Sequence, residues 1–243
     1  MENNSSNYVY DNVMQIDDAE ASRKYLAKVF TWMFGALGIS AFVAFEFYLN
    51  PGLMSLIVDP AAHSLTGLGY LAIFAPVIFS MVIGFGFNRI SYPVLLFLFI
   101  TYAVTIGVSL SILGLIYTAG SIFGVFLSAS AIFGIMAIAG YTTTMDLSKF
   151  GSILIMIFFG AFAVGLINFF LRSAQLQYII SFVFVAIMIG LTAYYMQMLK
   201  RIGAGLQYGN DTSRKLVLIG AFVLYTTFIN LFTSMLRIFG GRR

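Results

Sequence analysis

Ile153-Leu154-Ile155-Met156-Ile157-Phe158-Phe159 decides the architecture, because this unbroken apolar run leaves no polar face for water to wet. A strand of a transmembrane barrel alternates apolar and polar residues, and this run does not. Neither does Leu95-Leu96-Phe97-Leu98-Phe99-Ile100. Such runs sit inside apolar stretches of about 20 residues, the length a helix needs to cross about 30 Å of hydrocarbon. Seven stretches are expected, near 26–49, 66–87, 92–115, 118–140, 148–170, 176–199 and 214–238. With 60% hydrophobic and 9% charged residues, 243 residues have too little polar surface to coat a water-soluble globule. The expected fold is an all-α integral membrane protein, a seven-transmembrane-helix bundle embedded in a lipid bilayer.

Residues 1–22 are rich in Asn, Ser and Asp and are read as a polar, disordered N-terminal arm, followed by one membrane domain over 23–243. The arm has no apolar core, so the first membrane helix is expected to direct insertion itself. Positive loops tend to stay cytoplasmic. A cytoplasmic N-terminus puts Arg23, Lys24, Lys28, Arg89, Lys149, Lys200, Arg201, Arg214 and Lys215 on that side, and Arg172, Arg237, Arg242 and Arg243 on the other. Nine against four favours N-inside. The basic tail is in tension with it, because seven crossings export the tail and six do not. A bacterial inner membrane is the expected location, with an organellar membrane as the alternative.

Local signals support this division. Ser91 before Tyr92-Pro93 reads as a helix start, with proline in the first turn where its missing donor is harmless. Asp146-Leu147-Ser148 is suited to start the fifth span, its charge facing the positive helix terminus. Gly120, Ser121, Gly124, Ser128 and Gly134 have spacings that allow close helix contact in lipid. Trp32, Tyr92, Tyr117 and Tyr141 are expected to anchor the interfaces.

Few residues could carry catalysis. His63 is the one histidine, in the first loop near Asp59, and reads as solvated rather than as a metal ligand. There is no His-Glu-x-x-His, no Gly-x-Ser-x-Gly and no Cys at all. No enzyme activity, cofactor, metal site or nucleic-acid partner is expected. Charges at 89, 146, 149 and 172 fall at span ends, and Glu46 could meet Arg172 if both lie on one side. The deep interior is then left with neutral groups: Ser109, Ser111, Asn168, Thr192, Tyr194, Tyr195, Gln197, Thr226, Thr227, Asn230, Thr233 and Ser234. Thr227, Asn230 and Ser234 recur at three and four residues and share one helix face.

Gly190-Leu191-Thr192-Ala193-Tyr194-Tyr195-Met196-Gln197 and Leu224-Tyr225-Thr226-Thr227-Phe228-Ile229-Asn230-Leu231-Phe232 resemble signatures of the Bax inhibitor-1 family of transmembrane proteins. Tyr25 to Met33, Asn88-Arg89-Ile90-Ser91, Tyr141-Thr142 and Asp146 to Gly151 are similar to further family segments, in the same order. The resemblance implies a seven-helix bundle with the last helix near the centre. It also implies a calcium leak, pH-sensitive in bacterial members, with a pair of Asp residues on the last two helices as sensor. This chain has Tyr195 and Thr227 at those positions. Tyr titrates near pH 10 and Thr not at all in this range, so neither replaces a shared-proton carboxylate pair. Neither offers the anionic oxygens that calcium prefers.

Two functions are therefore expected to compete. One is a weak, pH-insensitive leak for calcium or another cation, with Tyr195, Thr227 and Asn230 along the path or locking the helices. The other is a non-conducting protein that engages a membrane protein partner, such as a membrane-bound protease. A small-molecule transporter is disfavoured, because neither broken helices nor inverted repeats are evident.

Overall fold

The computed structural model describes residues 5–62, 64–87, 89–205 and 211–242, with backbone alone for 5–18. His63 and Asn88 lie outside the described residues, as does Arg243. Nine helices form among the described residues: α1 (Ser5–Leu49), α2 (Pro51–Ile57), α3 (Gly67–Gly86), α4 (Tyr92–Ser111), α5 (Leu113–Ile116), α6 (Ala119–Thr142), α7 (Ser148–Leu171), α8 (Ala174–Ala204) and α9 (Asp211–Phe239). Two-residue strands β1 (Val58–Asp59) and β2 (Ser64–Leu65) pair antiparallel in the first loop. Seven segments are long and apolar enough to cross a membrane: α1 from Ala19, α3, Tyr92–Ile116, α6, α7, α8 and α9. They match the seven expected spans. The helical backbone of α1 begins at Ser5, within the stretch read as an arm, and Ser22 at the end of that stretch is buried.

Helix starts follow their side chains. Asn50, Thr66, Thr118 and Ser173 each accept a backbone N–H of the first turn of α2, α3, α6 and α8. Ser91 precedes α4 with Pro93 in the first turn, although its hydroxyl makes no capping bond. Asp146 Oδ1 accepts both the amide and the hydroxyl of Ser148 at the start of α7, as its sequence position suggests. Between α7 and α8 the chain turns at Arg172, whose φ of 53° places it in the left-handed region.

Helix α9 is central, packed by α1, α4, α6 and α8. Leu218, Ala221, Leu224, Tyr225, Leu231 and Leu236 are buried on all its sides, as a helix without a solvent face requires. Helices α3 and α7 are peripheral, and along α7 only Gly151 and Asn168 are buried. Phe85 at 86% exposure and Phe170 at 81% show outer surfaces suited to lipid rather than water.

One expectation fails here. A Cβ added at Gly120, Gly124 or Gly134 would meet nothing within 4 Å, so that face of α6 makes no close helix contact. The contact face is Val125, Ala129, Phe133, Ala137 and Gly140 instead, and a Cβ on Gly140 would strike the Ala193 carbonyl of α8. Tyr117 does more than anchor an interface: it is buried against Gly240, and its backbone pairs with Arg242.

Candidate functional site

The α8–α9 seam is built from the N-terminal end of α9 upward. Gly220 of α9 lies against the Leu199 side chain of α8 and the Tyr25 hydroxyl of α1. The Tyr25 hydroxyl donates to the Leu216 carbonyl at 2.9 Å, and the Ser22 hydroxyl donates to the Lys200 carbonyl at 3.0 Å, tying α1 to α9 and α8.

Thr227 is buried, and its hydroxyl donates to the Val223 carbonyl of its own helix at 2.8 Å. Thr192 is fully buried and bonds to Met188 in the same manner at 2.7 Å. Ser234 is buried, Asn230 half-buried and Tyr195 half-buried, its ring 5.2 Å from that of Tyr194. Among the described residues no hydrogen bond joins Tyr195 to Thr227, so α8 and α9 are not locked through that pair. Phe126 and Phe133 of α6 stack edge-on against Phe228 beside it.

Glu46 is exposed on α1 and makes no ion pair with Arg172 among the described residues. No cluster of His, Cys, Asp or Glu that could hold a metal occurs among the described residues.

Two amides placed in the deep interior by sequence sit at helix ends instead. Gln197 accepts the Leu147 amide at 2.9 Å and donates to the Met145 carbonyl at 2.6 Å, clamping the α6–α7 linker onto α8. Asn168 accepts from and donates to the Ser173 backbone across the α7–α8 turn. Lys200 donates to the Tyr141 carbonyl at 2.8 Å, and Arg201 pairs with Asp146 at 2.9 Å. Both Ser148 and Arg201 hold the Asp146 carboxyl below the usual carboxylate range, the Ser148 hydrogen bonds contributing most.

A second polar cluster escaped the sequence census in all its members but Thr226. Tyr225 has no exposed surface, and its hydroxyl lies 2.6 Å from Ser40 Oγ, which lies 2.7 Å from the Ala103 carbonyl. The Tyr102 hydroxyl reaches Thr226 Oγ1 at 3.2 Å, and the Tyr102 and Tyr225 rings meet edge-on at 5.7 Å. The cluster joins α1, α4 and α9 where Gly107 lets α4 approach the Ser40 backbone. A census of every tyrosine and serine inside the spans would have found these residues, although not their meeting.

The C-terminal tail returns to the far end of the bundle. The Thr118 amide donates to the Gly241 carbonyl at 3.1 Å, and the Gly241 amide donates to Ser121 Oγ at 2.8 Å. With α9 unbroken, the tail and the Ser22–Lys200 contact lie at opposite ends of the bundle, as seven crossings require.

The family described as "Inhibitor of apoptosis-promoting Bax1" matches over residues 22–243. The chain is 38% identical over 221 residues to the inner membrane protein YbhL of Escherichia coli K12, covering 90% of this chain and 92% of YbhL. A Borreliella burgdorferi protein is 36% identical over 220 residues, covering 90% and 93%. A membrane protein of Streptococcus pyogenes serotype M3 is 30% identical over 237 residues, covering 95% and 98%. Seven apolar spans around a central last helix, together with these matches, place the chain in the Bax inhibitor-1 family of multi-pass membrane proteins.

Proposed function

We propose that this protein is a weak cation leak, calcium being the expected ion, whose passage does not respond to pH between 6 and 8. The observation that carries the reading is the neutral α8–α9 seam. At the two positions where the family resemblance calls for a carboxylate pair stand Tyr195 and a Thr227 whose hydroxyl is satisfied within its own helix. A half-buried Asn230 amide is left one turn further along as a polar contact for a passing ion. With no shared proton in the seam, no titration near neutrality opens or closes it. The protein performs no chemistry of its own in this reading.

The expected setting is a bacterial inner membrane with the N-terminus in the cytoplasm. YbhL, named as an inner membrane protein, supports the location, and the basic residues around Ser22, Lys200 and Arg201 at one bundle end support the orientation. The test restores the pair. Tyr195→Asp with Thr227→Asp is reconstituted in proteoliposomes and calcium flux is followed against pH beside the natural chain. A pH-gated flux in the restored protein and a flat, small flux in the natural one support the reading. A natural flux that changes steeply near neutrality contradicts it.

A second reading, a non-conducting interaction protein, is favoured by the aromatic packing of α6 on α9 beside the seam, where Phe126 and Phe133 meet Phe228 and Phe232 edge-on. Silence in both the natural and restored proteins supports it. Its partner would be a membrane protein meeting the outer faces of α3 or α7.

A further inference from the structure

Arg89 stands at the mouth of an apolar groove. The groove holds about 710 Å³ and is lined by Met81, Val82, Phe85, Gly86 and Ile90 along the end of α3, with Arg89 the one charged residue in its wall. It is an open groove on the outer surface, with Met81, Val82 and Phe85 exposed. Phe85 is 86% exposed, the barest of the large apolar side chains. Arg89 is exposed, and its guanidinium has no ion pair or hydrogen bond among the described residues. Of the other exposed cations near this end, Lys24 is paired with Glu20 and Arg201 with Asp146, whereas Arg23 and Lys149 lie outside the apolar groove. Arg214 of α9 lies over the ring of Tyr92, three residues beyond Arg89 at the start of α4, with 6.0 Å between its guanidinium carbon and the ring centroid. A second cation thus flanks the same helix start.

We propose that this groove binds an anionic phospholipid, with an acyl chain along Met81, Val82 and Phe85 and the phosphate held by Arg89. The chemistry matches at both ends. A planar guanidinium takes a phosphodiester through paired N–H donors, and it does so best where an apolar surface excludes water beside it. Basic sites among membrane helices at one leaflet are the recognised setting for such headgroups. Arg89 closes the α3–α4 turn, where the Arg89 and Ile90 amides both donate to the Gly86 carbonyl, so the charge sits at the helix end while the groove runs along the span. A zwitterionic lipid offers the same chain with a compensated headgroup, and free phosphate offers the charge without the chain. Both should therefore bind more weakly. The proposal does not depend on whether the bundle conducts.

The test counts bound lipid by native mass spectrometry of the purified full chain in mild detergent. Phosphatidylglycerol, phosphatidylcholine of the same chains and inorganic phosphate are titrated separately. The natural protein is expected to hold phosphatidylglycerol at least fivefold more tightly than phosphatidylcholine and to hold phosphate not at all. Arg89→Gln should remove that preference, Arg89→Lys should keep most of it, and Val82→Trp should weaken both lipids by filling the groove. Arg172→Gln, at the opposite end of the bundle, should change nothing. Equal retention of the two lipids by the natural protein overturns the proposal, as does an undiminished preference in Arg89→Gln. Phosphate binding as tight as lipid would reduce the site to an anion site and overturn it as well.

Discussion

Tyr225 carries its polar atom in the most enclosed part of the molecule, and Ser40 Oγ at 2.6 Å is its hydrogen-bond partner there. In lipid such interhelical bonds contribute about 1 kcal/mol, since the unfolded helices find other partners in the membrane. Tyr225→Phe is expected to lower stability by about that amount, and Ser40→Ala by a similar amount. Their double variant should lose less than the sum, because each single change already breaks the shared bond. Unfolding in mixed micelles measures all three, and full additivity would count against a shared bond. The sequence exposed part of this. It placed Thr227 and Ser234 on one face of α9, and both are buried. It could not show that Ser40, Tyr102 and Tyr225 meet, because spacing within a helix carries no information about which hydroxyls on other helices share its level. Gln197 and Asn168 were set too deep for a different reason. For Gln197, helix α8 has 31 residues, about 46 Å at 1.5 Å per residue, which is longer than the hydrocarbon is thick, and Asn168 lies in the last turn of α7, where it joins the turn to Ser173.

At the level of elements, helix contacts in this bundle are set by which glycine faces a neighbour. Gly140→Leu would force a side chain into the Ala193 carbonyl, where backbone rather than a flexible tip must yield. It is expected to cost at least about 2 kcal/mol or to prevent folding, whereas Gly124→Leu adds an apolar side chain to an open face and should be close to neutral. Equal stability of the two variants in thermal unfolding would contradict the packing of α6 on α8. The sequence marked the small residues of α6 but could not select among them, since glycine is common on lipid-facing surfaces as well as at contacts. The α6–α7 linker is a second contact whose strength the structure defines. Gln197→Leu removes both bonds to Met145 and Leu147 and should open the linker to proteolysis. Protonating Asp146 should loosen the same linker, but only in acid. Its carboxyl titrates below the usual value of about 4, so its contribution is present above that pH and is lost as pH falls through the lowered value. Protease resistance of the linker is therefore expected to stay constant between pH 6 and 8. A sharp change within that window would identify a titrating group that the arrangement around Asp146 does not supply.

For the whole molecule, the position of the tail tests the seven-crossing topology. The protein has no cysteine, and a Cβ built on Gly241 lies 4.0 Å from Ser121 Cβ, within the reach of a disulfide. Ser121→Cys with Gly241→Cys should crosslink under mild oxidation, and either cysteine alone should react with a membrane-impermeant thiol reagent from the side opposite the N-terminus. Labelling from the same side as the N-terminus would mean that α9 does not cross. The sequence made the number of spans and their order legible, because apolar length alone determines them. The central place of α9 was implied by family resemblance and not by hydropathy, since its mean hydropathy of 2.0 falls within the 1.6 to 2.5 of the other spans. The central claim concerns what that enclosed helix lacks. In the proposed function Tyr195 and Thr227 leave the seam between α8 and α9 without a carboxylate pair, and no proton equilibrium near neutrality is then expected to control it. Calcium flux through the natural protein in proteoliposomes, measured from pH 6 to pH 8 at constant ionic strength, tests this most directly. A small flux varying less than about twofold across that range is predicted, since a single controlling proton would change occupancy far more over two pH units. A flux that rises or falls about tenfold around a midpoint near neutrality would contradict it.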